Sequence, residues 1–136
     1  MEYDLHHNVA TRVALAIAII ATDTVTNGEI IDSQGFESLE FITQTGVVTA
    51  GDVTPSVEGS DDSGMVGAVA ITGEDLLNSV PQVMAASDFT QRLGVIAKYR
   101  YYRLNQTTAN TANLTVGASV VLGNPHSAPI AESVVA

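Results

Sequence analysis

The sequence predicts an all-β protein, an antiparallel β-sandwich of the jelly-roll type, and three observations support that prediction. Roughly seven or eight short apolar stretches are separated by Gly, Pro, Asn and Asp at spacings typical of a sandwich. They do not alternate with helical patterns, as the strands of a βαβ fold would. The composition is rich in Ala, Val, Thr and Gly and only 5% aromatic, a mixture that favours sheets over helical bundles.

The length of 136 residues fits one domain, and charge limits its partners. We expect an extended N-terminal arm over residues 1–10, a β-sandwich over 11–123 and an extended C-terminal tail over 124–136. The formal charge of −10 would repel nucleic acid and anionic lipid, so we expect neither as a partner. With no cysteine, the chain has no disulfides and no thiolate metal sites.

Residues 13–21 form an uninterrupted apolar run. A membrane span needs about 20 apolar residues, and a secretory signal needs a basic segment that is missing here. Residues 11–21, which contain this run, therefore predict the first strand, either buried on both faces or lying under a neighbouring subunit. We expect a protein made and kept in the cytoplasm.

Residues 35–46 carry the clearest strand pattern, because Leu39, Phe41 and Thr43 alternate with polar side chains between two glycines. Ile42 breaks the pattern. We expect it to lie under a loop or at a subunit contact.

The remaining stretches predict a series of short elements. Residues 29–32 and 37–45 are expected to form an antiparallel pair, and 91–96 with 101–107 a second hairpin. Residues 47–52 and 106–113 are expected to be connections, and Pro55 gives 53–58 an edge or irregular position. A short strand at 65–71, a helical turn at 72–77 with capping-box spacing and a last strand at 114–122 complete the series.

No motif indicates catalysis or a cofactor. His6 and His7 are neighbours near Asp4, but adjacent strand residues point to opposite faces and could not readily share a metal ion. The chain lacks a nucleophile elbow and a His-x-His pair. We therefore expect no enzyme activity, no metal and no cofactor.

Four of the five basic residues fall between positions 92 and 103 among three tyrosines. A nucleic-acid surface is a possible interpretation, but the total charge opposes it. Such a patch is better explained by acidic groups of the same chain, of another copy or of a partner protein, since Tyr and Arg are favoured at interfaces.

Three segments together resemble the jelly-roll head decoration, or cement, proteins of tailed bacteriophages and prophages: GEIIDSQGFESLEF at 28–41, RLGVI at 92–96 with YYRL at 101–104, and VLGNPHSAP at 121–129. The resemblance implies a structural virion protein, made in the bacterial host cytoplasm, that binds the outer surface of a phage head and stabilises contacts between capsomers. The implied partners are the major capsid protein and the chain itself, as a homodimer or homotrimer.

Two alternatives stay open: a carbohydrate-binding or host-adhesion sandwich on the virion, and a head–tail joining protein. The residues expected at protein interfaces belong to the arm, the tail, the first strands and the Tyr/Arg segment. They are His6, His7, Arg12, Ile42, Tyr99, Arg100, Tyr101, Arg103, Pro125 and Pro129.

Overall fold

The computed structural model describes residues 4–125, and nearly all of its regular structure is antiparallel β-sheet. The all-β class and the sandwich-like architecture predicted from the sequence are confirmed. Two 3-10 turns accompany the strands, at His6–Asn8 and Gly73–Leu76. The strands are β1 (Ala10–Ile20), β2 (Val25–Asn27), β3 (Ile31–Asp32), β4 (Phe36–Ser60), β5 (Val69–Ile71), β6 (Thr90–Ile96) and β7 (Tyr101–Pro125).

Two strands of 25 residues, β4 and β7, form the centre of the molecule. They pair antiparallel from Phe36 opposite Pro125 to Ser60 opposite Tyr101. In the first half of this ribbon, β1 lies beside β7 and β6 beside β4; in the second half, β2 and β3 lie beside β7 and β5 beside β4. The described strands therefore form one continuous sheet.

The ribbon bends in the middle, where the register between β4 and β7 shifts three times between Thr45 and Asp52. Gly51 has a φ of +74°, and Asn110 and Thr111 on β7 also have positive φ. Extra residues and left-handed backbone conformations raise the local twist and turn the strands. The bend brings the two halves of the sheet face to face.

The core lies between the two halves. It contains Leu39 and Phe41 from the first half with Val57 and Tyr102 from the second, all buried. Burial of Leu39 and Phe41 confirms the alternation predicted for residues 35–46. A smaller cluster at the bend contains Leu15, Ile20, Val53, Met84, Ala112, Leu114 and Val116.

Both predicted hairpins are wrong. β3 pairs with β7, with Ile31 opposite Tyr102, because both sides of residues 38–44 are already occupied by β6 and β7. β6 pairs with β4 and not with β7, so residues 97–100 connect the two halves of the sandwich. The side-chain oxygen of Tyr102 accepts hydrogen bonds from two backbone N–H groups of this connection, at 2.7 and 3.0 Å.

The connections predicted at 47–52 and 106–113 are also wrong, since both lie within continuous strands. The Gly, Thr and Asn residues that suggested loops are instead those of the bend. Pro55 belongs to β4, in a stretch between the bridge from Val53 to Met84 and the first pair with β5 at Val57. Its missing N–H is tolerated there because none of the strands described in residues 4–125 lies beside it on that side.

The middle of the chain contains less strand than expected. Of residues 65–71 only Val69–Ile71 are in a strand, and the turn expected at 72–77 is the 3-10 turn Gly73–Leu76. The Thr72 side chain makes no capping hydrogen bond, so the capping box does not form. The turn buries Leu76 in the core beside β6.

Candidate interaction surfaces

The strand register gathers five of the ten predicted interface residues at one end of the sandwich. β1 begins at Ala10 opposite Leu122, and β4 begins at Phe36 opposite Pro125. β6 ends and β7 begins at this same end, which also holds residues 97–100. We call this the open end: residues 4–9, 33–35, 97–100 and Pro125. The bend lies at the opposite end.

His6 and His7 lie at the open end on the exposed 3-10 turn. The Asp4 carboxylate accepts the backbone N–H of His7 at 2.8 Å and lies 2.7 Å from its Nδ1 atom. The backbone hydrogen bond is the main cause that lowers the pKa of Asp4. The two imidazole rings meet edge to face with their centroids 5.0 Å apart. Within residues 4–125, no group of three or more His, Asp or Glu side chains is placed to hold a metal ion.

Arg100 has its polar contacts within the chain. Its guanidinium donates to both carboxylate oxygens of Asp32 at 3.1 Å and to Gln34 at 2.7 Å, and its Cζ atom lies 5.1 Å from the ring centroid of Tyr101. The hydrogen bonds from Arg100 lower the pKa of Asp32. The Tyr99 ring packs edge to face on Tyr102.

Two more of the four cations of this segment are paired in the same way. Lys98 donates to Asp75 at 3.1 Å, and Arg103 donates to Glu58, its partner across β4 and β7. The Arg103–Glu58 pair is mostly buried, with 21% of each side chain exposed. Acidic groups of the same chain thus neutralise three of the four cations of this basic patch, and Arg92 is the exception within residues 4–125. Interface roles for Tyr99, Arg100, Tyr101 and Arg103 stay predictions.

Ile42 and Arg12 lie away from the open end. Ile42 is half-buried in a groove of about 540 Å³ on the outer face of β1, β7 and β4. Arg12 lies on β1 and donates to the backbone carbonyl of Thr11 at 2.9 Å. Pro129 lies outside the described residues. Strands β1 and β7 extend into the predicted arm and tail, to Ala10 and Pro125 respectively.

The groove is made by two glycines and two isoleucines. Gly46 and Gly117 form its floor, and Ile17 and Ile42 stand on either side. A Cβ atom on Gly117 would lie 2.5 Å from Cγ1 of Ile17, so glycine is what lets the Ile17 side chain lie close over β7. Sequence patterns did not identify this groove. Its signals were the apolar run at 13–21, which has apolar residues on both faces of a strand, and Ile42, which breaks the alternation of residues 35–46.

Within residues 4–125, no helix is long and apolar enough to cross a membrane. No protein-family model matches the sequence, and no curated protein matches it. Solved structures do match. The chain is similar to the PBSX exported protein XepA, with a TM-score of 0.61 and 13% identity over 93% of this chain. It spans 42% of the length of XepA, so less than half of that protein is represented.

Two further structures share the fold. The SPBc2 prophage-derived protein YomS matches with a TM-score of 0.52 and 15% identity over 84% of this chain and 93% of its own. A protein of infectious bursal disease virus, Gx strain, matches with a TM-score of 0.51 and 11% identity over 88% of this chain and 32% of its own. At such low identity these similarities establish the fold alone.

Proposed function

We propose that this chain is a structural virion protein that decorates the outside of a tailed-phage head and stabilises contacts between capsomers. The observation that supports this most is the convergence at the open end. The N-terminal turn, the start of the C-terminal tail and the Tyr/Arg connection lie far apart in sequence, yet the register of β1, β4, β6 and β7 gathers them on one surface.

Such a surface suits a cement protein. A cement protein works by holding two or more capsomers at once, and many weak contacts then act together. The arm and the tail, leaving the sandwich at the same end, would reach neighbouring capsomers while the connection at 97–100 rests between them. The partners in this proposal are the major capsid protein and further copies of this chain, as a homodimer or homotrimer.

The fold and the charge are consistent with this role. Structures that share the fold include a prophage-derived protein and a protein of a virus. The surplus of ten negative charges would keep free copies soluble before assembly. Nothing in the role requires a reaction, a cofactor or a metal ion.

Electron microscopy of purified virions tests the proposal directly. We expect copies of the chain over the whole head, with the open end facing the capsid. A chain confined to a single ring at the head–tail junction would instead support the joining protein, and a chain missing from the particle would overturn a virion role.

A binding assay with empty heads tests the open end. Deleting residues 1–8 should weaken attachment to heads at least about tenfold while the melting temperature stays within a few degrees, since these residues lie before the buried Ala10. Thr49→Asp, an exposed change at the bend, is the matched control and should bind like the wild type. Equal losses of binding and stability in the deletion variant would contradict the assignment.

A further inference from the structure

The outer face of the first half of the sheet carries an apolar surface that stays exposed among residues 4–125, although the Leu77 side chain lies over Gly94 at its β6 side. The register sets Val13, Ser119, Ile42 and Arg92 side by side in one row across β1, β7, β4 and β6. The neighbouring Ile17 is 81% exposed. From here on, the name outer face means this surface only, which consists of the groove residues together with Glu40 and Arg92. The side of an antiparallel sheet that faces away from the core is normally polar and solvated, so an apolar surface there indicates a contact surface.

The charges of the outer face are unlike those of the rest of the chain. Within residues 4–125, no acidic or basic residue lines the groove, although the chain has 15 acidic residues. At the β6 side of the groove stand one anion, Glu40, and one cation, Arg92. They belong to successive outward-facing rows, since Glu40 lies opposite Gly94 and Arg92 opposite Ile42.

Both charged side chains lack a partner within residues 4–125. No ion pair or hydrogen bond links the Arg92 guanidinium or the Glu40 carboxylate to another described group, whereas Lys98, Arg100 and Arg103 each pair with an acid. The Glu40 carboxylate lies over Gly94, within 3.6 Å of where a Cβ atom would stand. One free cation and one free anion beside an uncharged apolar centre make the face complementary to itself.

We propose that the outer face is the contact surface between two copies of this chain, related by a two-fold axis. In such an interface each residue pair occurs twice, so Arg92 of each copy meets Glu40 of the other while the apolar grooves face each other. An apolar centre with a polar rim is the usual arrangement of protein interfaces. Because each chain has a net charge of −10, two copies approach with least repulsion where the surface carries no net charge.

The size of the face sets the strength of the contact. Four strands spaced about 4.8 Å apart set the width of the face, and residues 115–121 of β7, at about 3.3 Å per residue, set its length. The projected area of the face is therefore roughly 400 Å² per copy. A standard interface buries about 800 Å² per partner. We therefore expect a weak dimer, with a dissociation constant on the order of 10–100 μM.

This inference names the surface of the homo-oligomer included in the proposed function, and it is tested without phage heads. Its failure would leave attachment through the open end untouched, and a failure of attachment would leave the dimer intact. Sedimentation velocity of the purified chain from about 5 μM to about 1 mM, a range that brackets the expected dissociation constant, is the first measurement. A chain that stays monomeric throughout overturns the proposal.

Substitutions locate the contact. Ile42→Arg, in the middle of the face, should raise the dissociation constant at least about tenfold. The matched control is Val66→Arg, at a side chain that is 75% exposed in the loop after β4 and should change the constant less than about twofold. A dimer that Ile42→Arg leaves intact, for example one joined along the outer edge of β1, overturns the proposal.

A charge exchange tests the predicted pairing. Glu40→Arg and Arg92→Glu should each weaken the dimer, because each places like charges opposite one another across the axis. The double variant should recover most of the wild-type association. Melting temperatures distinguish pairing between two copies from pairing of Arg92 with Glu40 inside one chain. Pairing inside one chain would make these variants change the melting temperature and leave the association unchanged. Failure of the double variant to recover association overturns the two-fold pairing of Arg92 with Glu40.

Discussion

Replacing Thr43 with valine should destabilise the protein out of proportion to the single oxygen removed. Gln106 is completely buried between the two halves of the sandwich, and its Nε2 atom donates to Oγ1 of Thr43 at 2.6 Å. Its Oε1 atom already lacks a hydrogen-bond partner among the described residues 4–125. Thr43→Val leaves the whole buried amide unpaired, and we expect a loss of about 1–3 kcal/mol in the free energy of unfolding.

The double variant Thr43→Val/Gln106→Leu should recover most of that loss. Replacing both partners with apolar groups of similar shape removes the unpaired amide as well as the hydrogen bond, so we expect stability within about 1 kcal/mol of wild type. Thr43 also donates to the carbonyl of Gly117 at 3.3 Å, but that carbonyl belongs to a strand inside the sheet. Losing the Thr43 hydroxyl as a donor should therefore matter less for the Gly117 carbonyl than losing it as an acceptor matters for the Gln106 amide.

Urea unfolding of the wild type, both single variants and the double variant measures the coupling between the two positions. Thr115→Val on the outer side of β7, at a residue that is only half-buried, is the control and should change stability by less than about 0.5 kcal/mol. Additive effects of Thr43→Val and Gln106→Leu would refute the reasoning. So would a double variant less stable than Thr43→Val.

Three more changes test other parts of the fold. Tyr102→Phe removes the acceptor of two backbone N–H groups and should lower stability by about 1–3 kcal/mol in thermal unfolding. Gly51→Ala and Gly67→Ala both place a side chain at positive φ, which should lower the stability by about 1–2 kcal/mol each. Only the new Cβ atom at position 51 would also meet a backbone oxygen, so calorimetry should find Gly51→Ala clearly less stable than Gly67→Ala. Arg100→Gln should raise the pKa of Asp32 towards its ordinary value in a carbon-13 NMR titration. The pKa of Asp32 is lowered in the folded state, so the ion pair stabilises the folded protein at pH values above the pKa that Asp32 has in the unfolded chain. This contribution to the free energy of unfolding is under about 1 kcal/mol for so exposed a pair, and it is lost as the pH falls below about 4.

Local sequence patterns were enough to predict the fold class and to predict which side chains of residues 35–46 point into the core. Alternation identifies which side of a strand is buried whatever lies beside it, so Leu39 and Phe41 were predicted correctly. Strand partners were not predictable in the same way. Residues 91–96 and 101–107 are close in sequence and separated by a plausible turn, yet β6 and the start of β7 lie in opposite halves of the sandwich.

The bend explains the other errors. Turn-forming residues such as Gly51 and Asn110 suggest that strands end, but a bulge can use the same residues to turn a continuous strand. The distinction depends on whether the neighbouring strand turns at the same place, which only the paired ribbon reveals. The outer face forms only when four strands lie side by side, so the sequence could not predict it as a surface. The sequence indicated only two of its parts, the apolar run of β1 and Ile42, which breaks the alternation.

The two surfaces occupy different parts of one sheet, and this separation has a consequence for assembly. The open end lies where β1 begins and β7 ends, whereas the outer face is centred further along the same strands, beside Ile42 and Gly117. Under the proposed function, a dimer formed through the outer faces would therefore keep both open ends available. A contact of roughly 400 Å² per copy holds few dimers together in dilute solution, but two copies already bound to one head meet at a much higher effective concentration. The same weak contact that leaves free copies separate would then tie neighbouring capsomers together, and it would do so only on the assembled shell.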